Sequence, residues 1–170
     1  MIFRTFCLVS LWIFLVLPIS GNSLDEPPGI EQQNSNTIDK RSYNLGAIGA
    51  FAEMVAADVK KLGLSAPLSP EEMDALIDDA KKIAEKNGAK IYREEDFLVT
   101  DLFPEELTKG KHVLLIYTGS TKDDYFALKS KKQKLVETGK FSGAAREAIA
   151  HDMGKLLSYS DRKIDSLLKK

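Results

Sequence analysis

The apolar and polar positions divide the chain of 170 residues into three parts. Residues 7–19 read CLVSLWIFLVLPI and are almost wholly apolar, whereas residues 24–44 are polar and contain paired prolines. From Leu45 onward, apolar residues recur at the spacings of amphipathic helices and short strands. The pattern predicts a signal peptide over residues 1–23, a disordered tether over 24–44 and a single globular α/β domain over 45–170.

Five longer segments have the three- and four-residue apolar spacing that is typical of helices. They begin at Leu45, at Ser69, after Thr121, at Ser142 and at Ser160. The second of them opens with the capping-box sequence SPEE and closes at an Asn-Gly pair, which favours a left-handed C-cap. The three serines and the threonine are predicted to cap their helices with their side-chain oxygens.

Three further segments predict strands, namely residues 89–94, 97–103 and 111–118, with a helical turn between the last two. Because Val113–Ile116 is continuously apolar, the third strand is predicted to be buried on both faces. The predicted fold class is α/β (α+β), a small three-stranded sheet packed with about five helices in the order α-α-β-β-β-α-α-α.

The N-terminal apolar run has the flanking residues of a signal peptide. Arg4 precedes it, Pro18 interrupts it, and small residues follow at Ser20, Gly21 and Ser23. The run is shorter than the roughly 20 residues that span a bilayer. This arrangement predicts cleavage after Gly21 or Ser23, with an uncleaved anchor as the alternative. The mature domain is expected to be exported, periplasmic or secreted, without stable membrane insertion.

Composition narrows the chemistry that the exported domain can perform. Cys7 lies in the predicted signal peptide and is the one cysteine, so the mature chain offers no disulfide and no thiolate ligand. A formal net charge of −1 gives no overall basic field, and no nucleic-acid partner is expected. His112 and His151 lie far apart in the sequence, and neither a metal site nor a cofactor is predicted.

The last third of the chain combines the strand VLLIYTG, a charged helix and the segment HDMGKLLSYSDRKIDSLL. It resembles uncharacterised bacterial and archaeal families with a strand, a charged helix and an H-E-I-G-x-x-L-G-Y-P segment. His151, Gly154, Leu157 and Tyr159 match that segment, whereas Ser158 and Ser160 replace its second glycine and its proline. The resemblance implies no activity. The cysteine pair that follows in some members is absent here, so no shared metal site is implied.

The sequence YTGST at residues 117–121 is the best candidate for a ligand-binding loop, because it follows the buried strand. A single glycine and the following Asp123-Asp124 pair argue against a nucleotide, while a helix N-terminus there suits a small carboxylate or one phosphate. The favoured interpretation is a plain strand-to-helix turn in which Gly119 supplies backbone freedom and Thr121 caps the helix. The candidate ligand-binding residues are Arg93, Asp101, Lys111, Tyr117, Gly119, Ser120, Thr121 and Tyr125.

Two further surfaces have alternative interpretations. One side of the first helix is thin because it carries Gly46, Gly49 and Ala50, which favours close packing inside the domain and, as the alternative, a homodimer contact. The fourth long helix carries four lysines that indicate a solvated face, with attraction to anionic lipid or a polyanion as the alternative: Lys129, Lys131, Lys132 and Lys134.

These observations predict an exported binding or interaction module without catalysis, whose partner is an unknown small anion or a protein. The alternative is a small hydrolase or lyase with a site at the strand ends around Arg93, Asp101 and Tyr117.

Overall fold

The computed structural model describes residues 39–169. This part of the chain contains α1 (Lys40–Ala56), β1 (Leu62–Leu64), α2 (Pro70–Lys86), β2 (Lys90–Glu94), α3 (Glu105–Thr108), β3 (Val113–Tyr117), α4 (Thr121–Glu137), α5 (Gly143–Leu156) and α6 (Asp161–Leu168). The α+β class, with a small three-stranded sheet packed among helices, is confirmed. The predicted signal peptide and the tether as far as residue 38 lie outside the described residues.

The strongest local signals in the sequence form as predicted. The Ser69 hydroxyl accepts a hydrogen bond from the Glu72 N–H, and the Glu72 carboxylate accepts one from the Ser69 N–H, at 3.2 and 3.0 Å. Gly88 follows α2 with φ +79°, in the left-handed region. Ser160 caps α6 with its hydroxyl, whereas Ser142 occupies the N-cap position of α5 without a side-chain hydrogen bond.

Helix α1 begins and ends earlier than the apolar pattern predicts. The Asp39 carboxylate accepts hydrogen bonds from the N–H groups of Arg41 and Ser42, so the polar residues 40–44 are helical and are not part of a tether. The pKa of Asp39 is lowered most by a hydrogen bond from the Ser42 hydroxyl and further by those from the two N–H groups. The helix ends at Ala56 because Asp58 turns the chain with φ +56°.

The sheet places its most apolar strand at the centre, in the order β1-β3-β2, with both pairings antiparallel. Val113, Leu115 and Tyr117 of β3 face a core cluster that includes residues of α4 and α5. Leu114 and Ile116 face the opposite cluster, formed with α1 and α2. The predicted burial of this strand on both faces is confirmed, and the fold has three layers, with helices on each side of the sheet.

The predicted strand at residues 97–103 is wrong. This segment has buried apolar side chains at Phe97 and Leu98, but its backbone makes only an isolated bridge between Thr100 and Phe103. The third strand of the sheet is instead β1, whose three residues give too short a pattern to predict. Phe97 and Leu98 have the buried apolar side chains of a strand, but their backbone does not pair with the sheet.

One glycine of the thin side of α1 packs inside the domain, while Gly46 and Ala50 are exposed. Gly49 lies so close to α2 that a Cβ atom there would lie 3.3 Å from Ile83 Cγ2. The buried residues of the same helix are Ile48, Ala52 and Val55. Close packing inside the domain, the favoured interpretation, therefore accounts for this glycine, and the homodimer through α1 stays a prediction.

Polar side chains join the end of α5 to α6 and to the start of β1. The Asp161 carboxylate accepts hydrogen bonds from Lys155 Nζ at 2.6 Å and His151 Nε2 at 3.1 Å, and its pKa is lowered chiefly by the bond from Lys155. Ser158, with φ +62°, accepts a hydrogen bond from the Lys61 N–H at 2.9 Å. The segment from His151 to Leu168 is thus a helix–turn–helix corner.

Candidate functional site

The three residues of the predicted hydrolase site lie in three separate sets of contacts. Arg93 pairs across the sheet with Leu114, near the start of β3, whereas Tyr117 ends that strand. Three residues separate these positions along β3, which corresponds to about 10 Å. Asp101 lies in the loop after β2 and binds Arg146 of α5. The structure does not bring Arg93, Asp101 and Tyr117 together.

Arg93 links β2 to α2 and to the residue before β3. Its Nε–H donates to His112 Nδ1 at 2.8 Å, and its Nη1 lies 2.5 Å from Asp74 Oδ1 and its Nε 3.5 Å from Glu95 Oε1. Because His112 accepts through Nδ1, that nitrogen carries no proton in this arrangement. The cluster therefore holds the guanidinium of Arg93 in contacts within the domain.

Lys111 lies beside His112 in the chain but faces a different groove. This open groove of about 620 Å³ is lined at one end by Lys40, Tyr43 and Asn44 of α1 and at the other by Leu68 and Lys111. Lys111 makes no salt bridge among residues 39–169. The structure therefore separates Lys111 from the other predicted ligand-binding residues.

The segment 117–121 is a turn into α4. Gly119 has φ +54°, as the turn interpretation requires. Ser120, not Thr121, occupies the N-cap position, and neither side chain makes a capping hydrogen bond. The predicted capping role of Thr121 is therefore wrong, because the helix begins one residue earlier than a Thr121 cap would allow. Backbone bonds from Asp123 and Asp124 to the Ser120 carbonyl close the first turn instead.

This geometry predicts that Gly119 matters more to stability than Thr121. A methyl group at Gly119 would meet no atom within 4 Å, so Gly119→Ala should cost about 1 kcal/mol through its left-handed backbone alone. Thr121→Ala should change the unfolding free energy by less than about 0.5 kcal/mol, since no cap is lost. Urea denaturation of both variants measures the difference. A larger loss for Thr121→Ala than for Gly119→Ala would contradict the assignment.

Tyr125 is buried inside the domain instead of flanking a ligand loop. Its hydroxyl oxygen accepts a hydrogen bond from the Leu98 N–H at 2.9 Å, and burial raises its pKa. One and two turns later on the same face of α4, Lys129 and Lys132 donate to the carbonyl oxygens of Asp96 and Val99. Three helix side chains thus bond one N–H and two carbonyl groups of residues 96–99, which overlap the segment at 97–103 that was predicted to be a strand.

The buried carboxylate of Glu94 also contacts the loop of residues 96–99. Glu94 is 4% exposed, and its Oε1 accepts from Lys129 Nζ at 3.1 Å and from the Asp96 N–H at 2.9 Å. Its Oε2 has no hydrogen-bond partner among residues 39–169. The prediction that the lysines of α4 form a solvated face is only partly correct, because Lys129 pairs with the buried Glu94. Lys129 and Lys132 hold the loop, whereas Lys131 lies on the surface and pairs with Asp152.

A groove lies on each side of Lys132, next to the loop of residues 96–99. We call the two grooves together the Lys132 groove. Val99 and Lys132 line both halves. The first half measures about 270 Å³ and also includes Phe97, Leu98, Gln133 and Val136. The second measures about 400 Å³ and also includes Asp101, Pro104, Glu105, Glu106, Phe141 and Arg146.

Charged side chains of both signs line the Lys132 groove: Asp96 and Lys129 in the first half, Asp101, Glu105, Glu106 and Arg146 in the second, and Lys132 in both. Lys132 Nζ lies 2.8 Å from the Val99 carbonyl oxygen and 5.3 Å from the centre of the Phe141 ring, and burial lowers its pKa. Arg146 donates to both carboxylate oxygens of Asp101, at 2.8 and 2.9 Å from Nε. The groove therefore presents an apolar floor, an ammonium group and a bidentate ion pair, which suits recognition of a partly polar ligand.

Sequence reasoning missed this site because its parts come from distant segments. Lys132 was predicted to lie on a solvated face, and Phe141 and Arg146 are not among the candidate ligand-binding residues of the sequence. The available signal was the spacing of Tyr125, Lys129 and Lys132, which places a hydroxyl and two ammonium groups on one face of a helix. Such a face can satisfy the backbone of a neighbouring extended segment.

Comparisons with family models, with curated proteins and with solved structures give no match for this chain. Within residues 39–169, no helix is long and apolar enough to cross a membrane, and no three histidine, cysteine or carboxylate side chains cluster as they would around a metal ion.

Proposed function

We propose that this chain is an exported, non-catalytic interaction module that binds an extended segment of a partner protein in the Lys132 groove. The observation that carries the proposal is the clamping of residues 96–99 onto α4 by three side chains, which holds a groove open on each side of Lys132. A rigid, preformed groove lowers the entropic cost of binding.

The shape of the groove favours an extended ligand over a compact one. Its halves share Val99 and Lys132, so a ligand lying across Lys132 would contact both. The apolar floor suits side chains of a peptide, and the charged groups of both signs along it suit a segment that is itself mixed in charge. A small anion contacting Lys132 is the second candidate, because the ammonium group is the one cation lining both halves.

The hydrolase or lyase alternative has weaker support. Arg93, Asp101 and Tyr117 lie in separate contacts, and Asp101 is already paired with Arg146. Nucleophilic catalysis needs a nucleophile and a base within hydrogen-bond reach of each other. These three residues are not arranged in that way.

Export is the second part of the proposal and rests on the N-terminal sequence alone. Arg4, the apolar run and the small residues after it favour cleavage near residues 21–23. Mass spectrometry of the protein from its native host should find a mature N-terminus between Asn22 and Leu24. An intact Met1 on protein from the cytoplasm would contradict export.

Peptide binding can be tested with a displayed library of random twelve-residue peptides as the probe. Val136 is 54% exposed and lines the groove, so Val136→Glu should weaken the binding of selected peptides at least tenfold. Val59 is 62% exposed and lies between α1 and β1, so Val59→Glu is the matched control and should bind like the parent protein. Isothermal titration calorimetry measures both affinities.

Failure to enrich any peptide, or equal binding by the parent protein and Val136→Glu, would overturn the proposed site. Hydrolysis of p-nitrophenyl acetate or p-nitrophenyl phosphate that is lost in Asp101→Asn would support the enzyme alternative instead. A change in the melting temperature with inorganic phosphate or acetate that disappears in Lys132→Met would support the small anion.

A further inference from the structure

The outer edge of β2 carries backbone groups that point away from the sheet. The Ser65 N–H donates to the Leu114 carbonyl at 3.0 Å, and the Leu114 N–H donates to the Ser65 hydroxyl at 2.9 Å. Both polar groups of Leu114 therefore point toward the β1 side. Because this direction alternates along an antiparallel strand, the residues on either side of Leu114 in β3 point toward β2.

The register then identifies the free groups of β2. Val113, Leu115 and Tyr117 pair with Glu94, Tyr92 and Lys90, which are the residues that exchange hydrogen bonds with β3. The N–H and C=O groups of Ile91 and Arg93 consequently point outward. Neither residue uses its backbone groups in any other hydrogen bond within residues 39–169.

The two edges of the sheet differ in accessibility. At the β1 edge, Leu62 and Gly63 are buried. At the β2 edge, Lys90 is exposed and Tyr92 is 39% exposed. An accessible row of unpaired backbone groups is a template for another strand.

Side chains hold the centre of this edge in place. The Tyr92 ring meets the Phe126 ring edge to face, with centroids 5.3 Å apart, and Lys122 Nζ lies 5.4 Å from the Tyr92 centroid. On the other face of the strand, Ile91 packs against the core cluster of α1 and α2. The edge strand is therefore fixed from both sides, while its outward backbone groups remain free.

We infer that a second copy of this chain docks on the edge, with β2 pairing antiparallel to β2 about a two-fold axis at Tyr92. In this register, Ile91 of each copy lies opposite Arg93 of the other, and these are the residues whose polar groups point outward, so they form the hydrogen-bonded pairs. The sheet would continue across the dimer. A two-fold axis makes the interface self-complementary.

The side chains on the Tyr92 face of β2 are compatible with the same register. Tyr92 lies opposite Tyr92 of the second copy as a non-hydrogen-bonded pair, the closest kind of cross-strand pair, and aromatic pairs stabilise such positions. Lys90 lies opposite Glu94, whose carboxylate is buried and paired with Lys129, so no like charges face each other across the paired segment. A shift of the register by one residue would pair outward groups with groups already bonded to β3. A shift by two residues would leave either Ile91 or Arg93 without a partner inside β2, so the axis at Tyr92 is the register that pairs both residues within the strand. The inference does not depend on the Lys132 groove.

Sedimentation velocity over a range of concentrations tests the association. The purified protein should change from monomer to dimer as its concentration rises, and Tyr92→Lys, which places two ammonium groups opposite each other, should weaken dimerisation at least tenfold. Tyr43 is 64% exposed on α1, so Tyr43→Lys is the matched control and should dimerise like the parent protein. A monomer at all concentrations, as expected if the edge accepts a foreign peptide strand, would overturn the inference. Equal dimerisation by Tyr92→Lys would do the same.

Cysteine crosslinking tests the register without relying on affinity. In a Cys7→Ser background, Tyr92→Cys should form a covalent dimer with copper–phenanthroline, because a non-hydrogen-bonded pair has Cα atoms about 4.5 Å apart, within disulfide reach. Lys90→Cys is the control on the same face. Its two copies would lie about 13 Å apart along the strand and should stay reduced. No crosslink at Tyr92→Cys, or equal crosslinking at Lys90→Cys, would contradict this register.

Discussion

Leu114→Ala and Leu115→Ala should each lower the unfolding free energy by about 2–5 kcal/mol, although the two side chains point in opposite directions. Both residues are 0% exposed. Leu115 faces the core cluster that contains Tyr125, Ile149 and Met153, while Leu114 faces the cluster that contains Ile48 and Met73. Truncation of a buried leucine removes its transfer free energy and leaves a cavity, and this applies on both sides of the sheet.

The pair of variants distinguishes a three-layer fold from a two-layer fold. In a sheet with one solvated face, consecutive residues of a strand would differ, and one truncation would be nearly neutral. Leu107 is 51% exposed, so Leu107→Ala is the matched control and should change the unfolding free energy by less than about 0.5 kcal/mol. Chemical denaturation monitored by circular dichroism measures all three. A neutral Leu114→Ala beside a costly Leu115→Ala would show that one layer of helices does not cover the sheet.

Sequence reasoning succeeded where the signal is local. The capping box at Ser69 and the left-handed glycine after α2 depend on residues within one turn, and both form as predicted. The apolar run of β3 identified the central strand because burial on both faces removes the usual alternation. In these places, propensity, capping and burial all favour the same structure.

Sequence reasoning failed where a backbone group finds a distant partner. Residues 97–99 have the composition of a strand, but Tyr125 and Lys132 of α4 take the place of a neighbouring strand. Nothing in the local pattern distinguishes a backbone bonded to a strand from one bonded to helix side chains. Asp101 and its ion-pair partner Arg146 are 45 residues apart in the sequence, so no local pattern predicts their contact.

The accessible β2 edge around Tyr92 could not be predicted from the sequence for a different reason. Tyr92 is not among the candidate ligand-binding residues of the sequence. Its accessibility depends on the strand order β1-β3-β2, which the sequence did not predict and which makes β2 an edge. Both the edge and the free groups on it follow from the topology.

Gly154→Leu should lower the unfolding free energy by about 3 kcal/mol, because α5 meets α6 without room for a side chain at this position. A Cβ atom on Gly154 would lie 2.6 Å from Ile164 Cγ1 and 3.2 Å from Leu102 Cδ1. Ile164 is 0% exposed. Gly154→Ala should be destabilising by a smaller amount, since the better helix propensity of alanine offsets part of the overpacking.

Gly46 provides a control of opposite sign. It lies exposed in α1, and a Cβ atom there would meet no atom within 4 Å. Gly46→Ala should therefore raise the unfolding free energy by up to about 1 kcal/mol through helix propensity alone.

In the double variant Gly154→Leu with Ile164→Ala, the new side chain occupies the space that the isoleucine vacates, so the combined loss should be well below the sum of the two single losses. Urea denaturation of the four single variants and the double variant measures these free energies. Additive losses, or a stabilising Gly154→Ala, would show that the α5–α6 corner packs more loosely than these distances require.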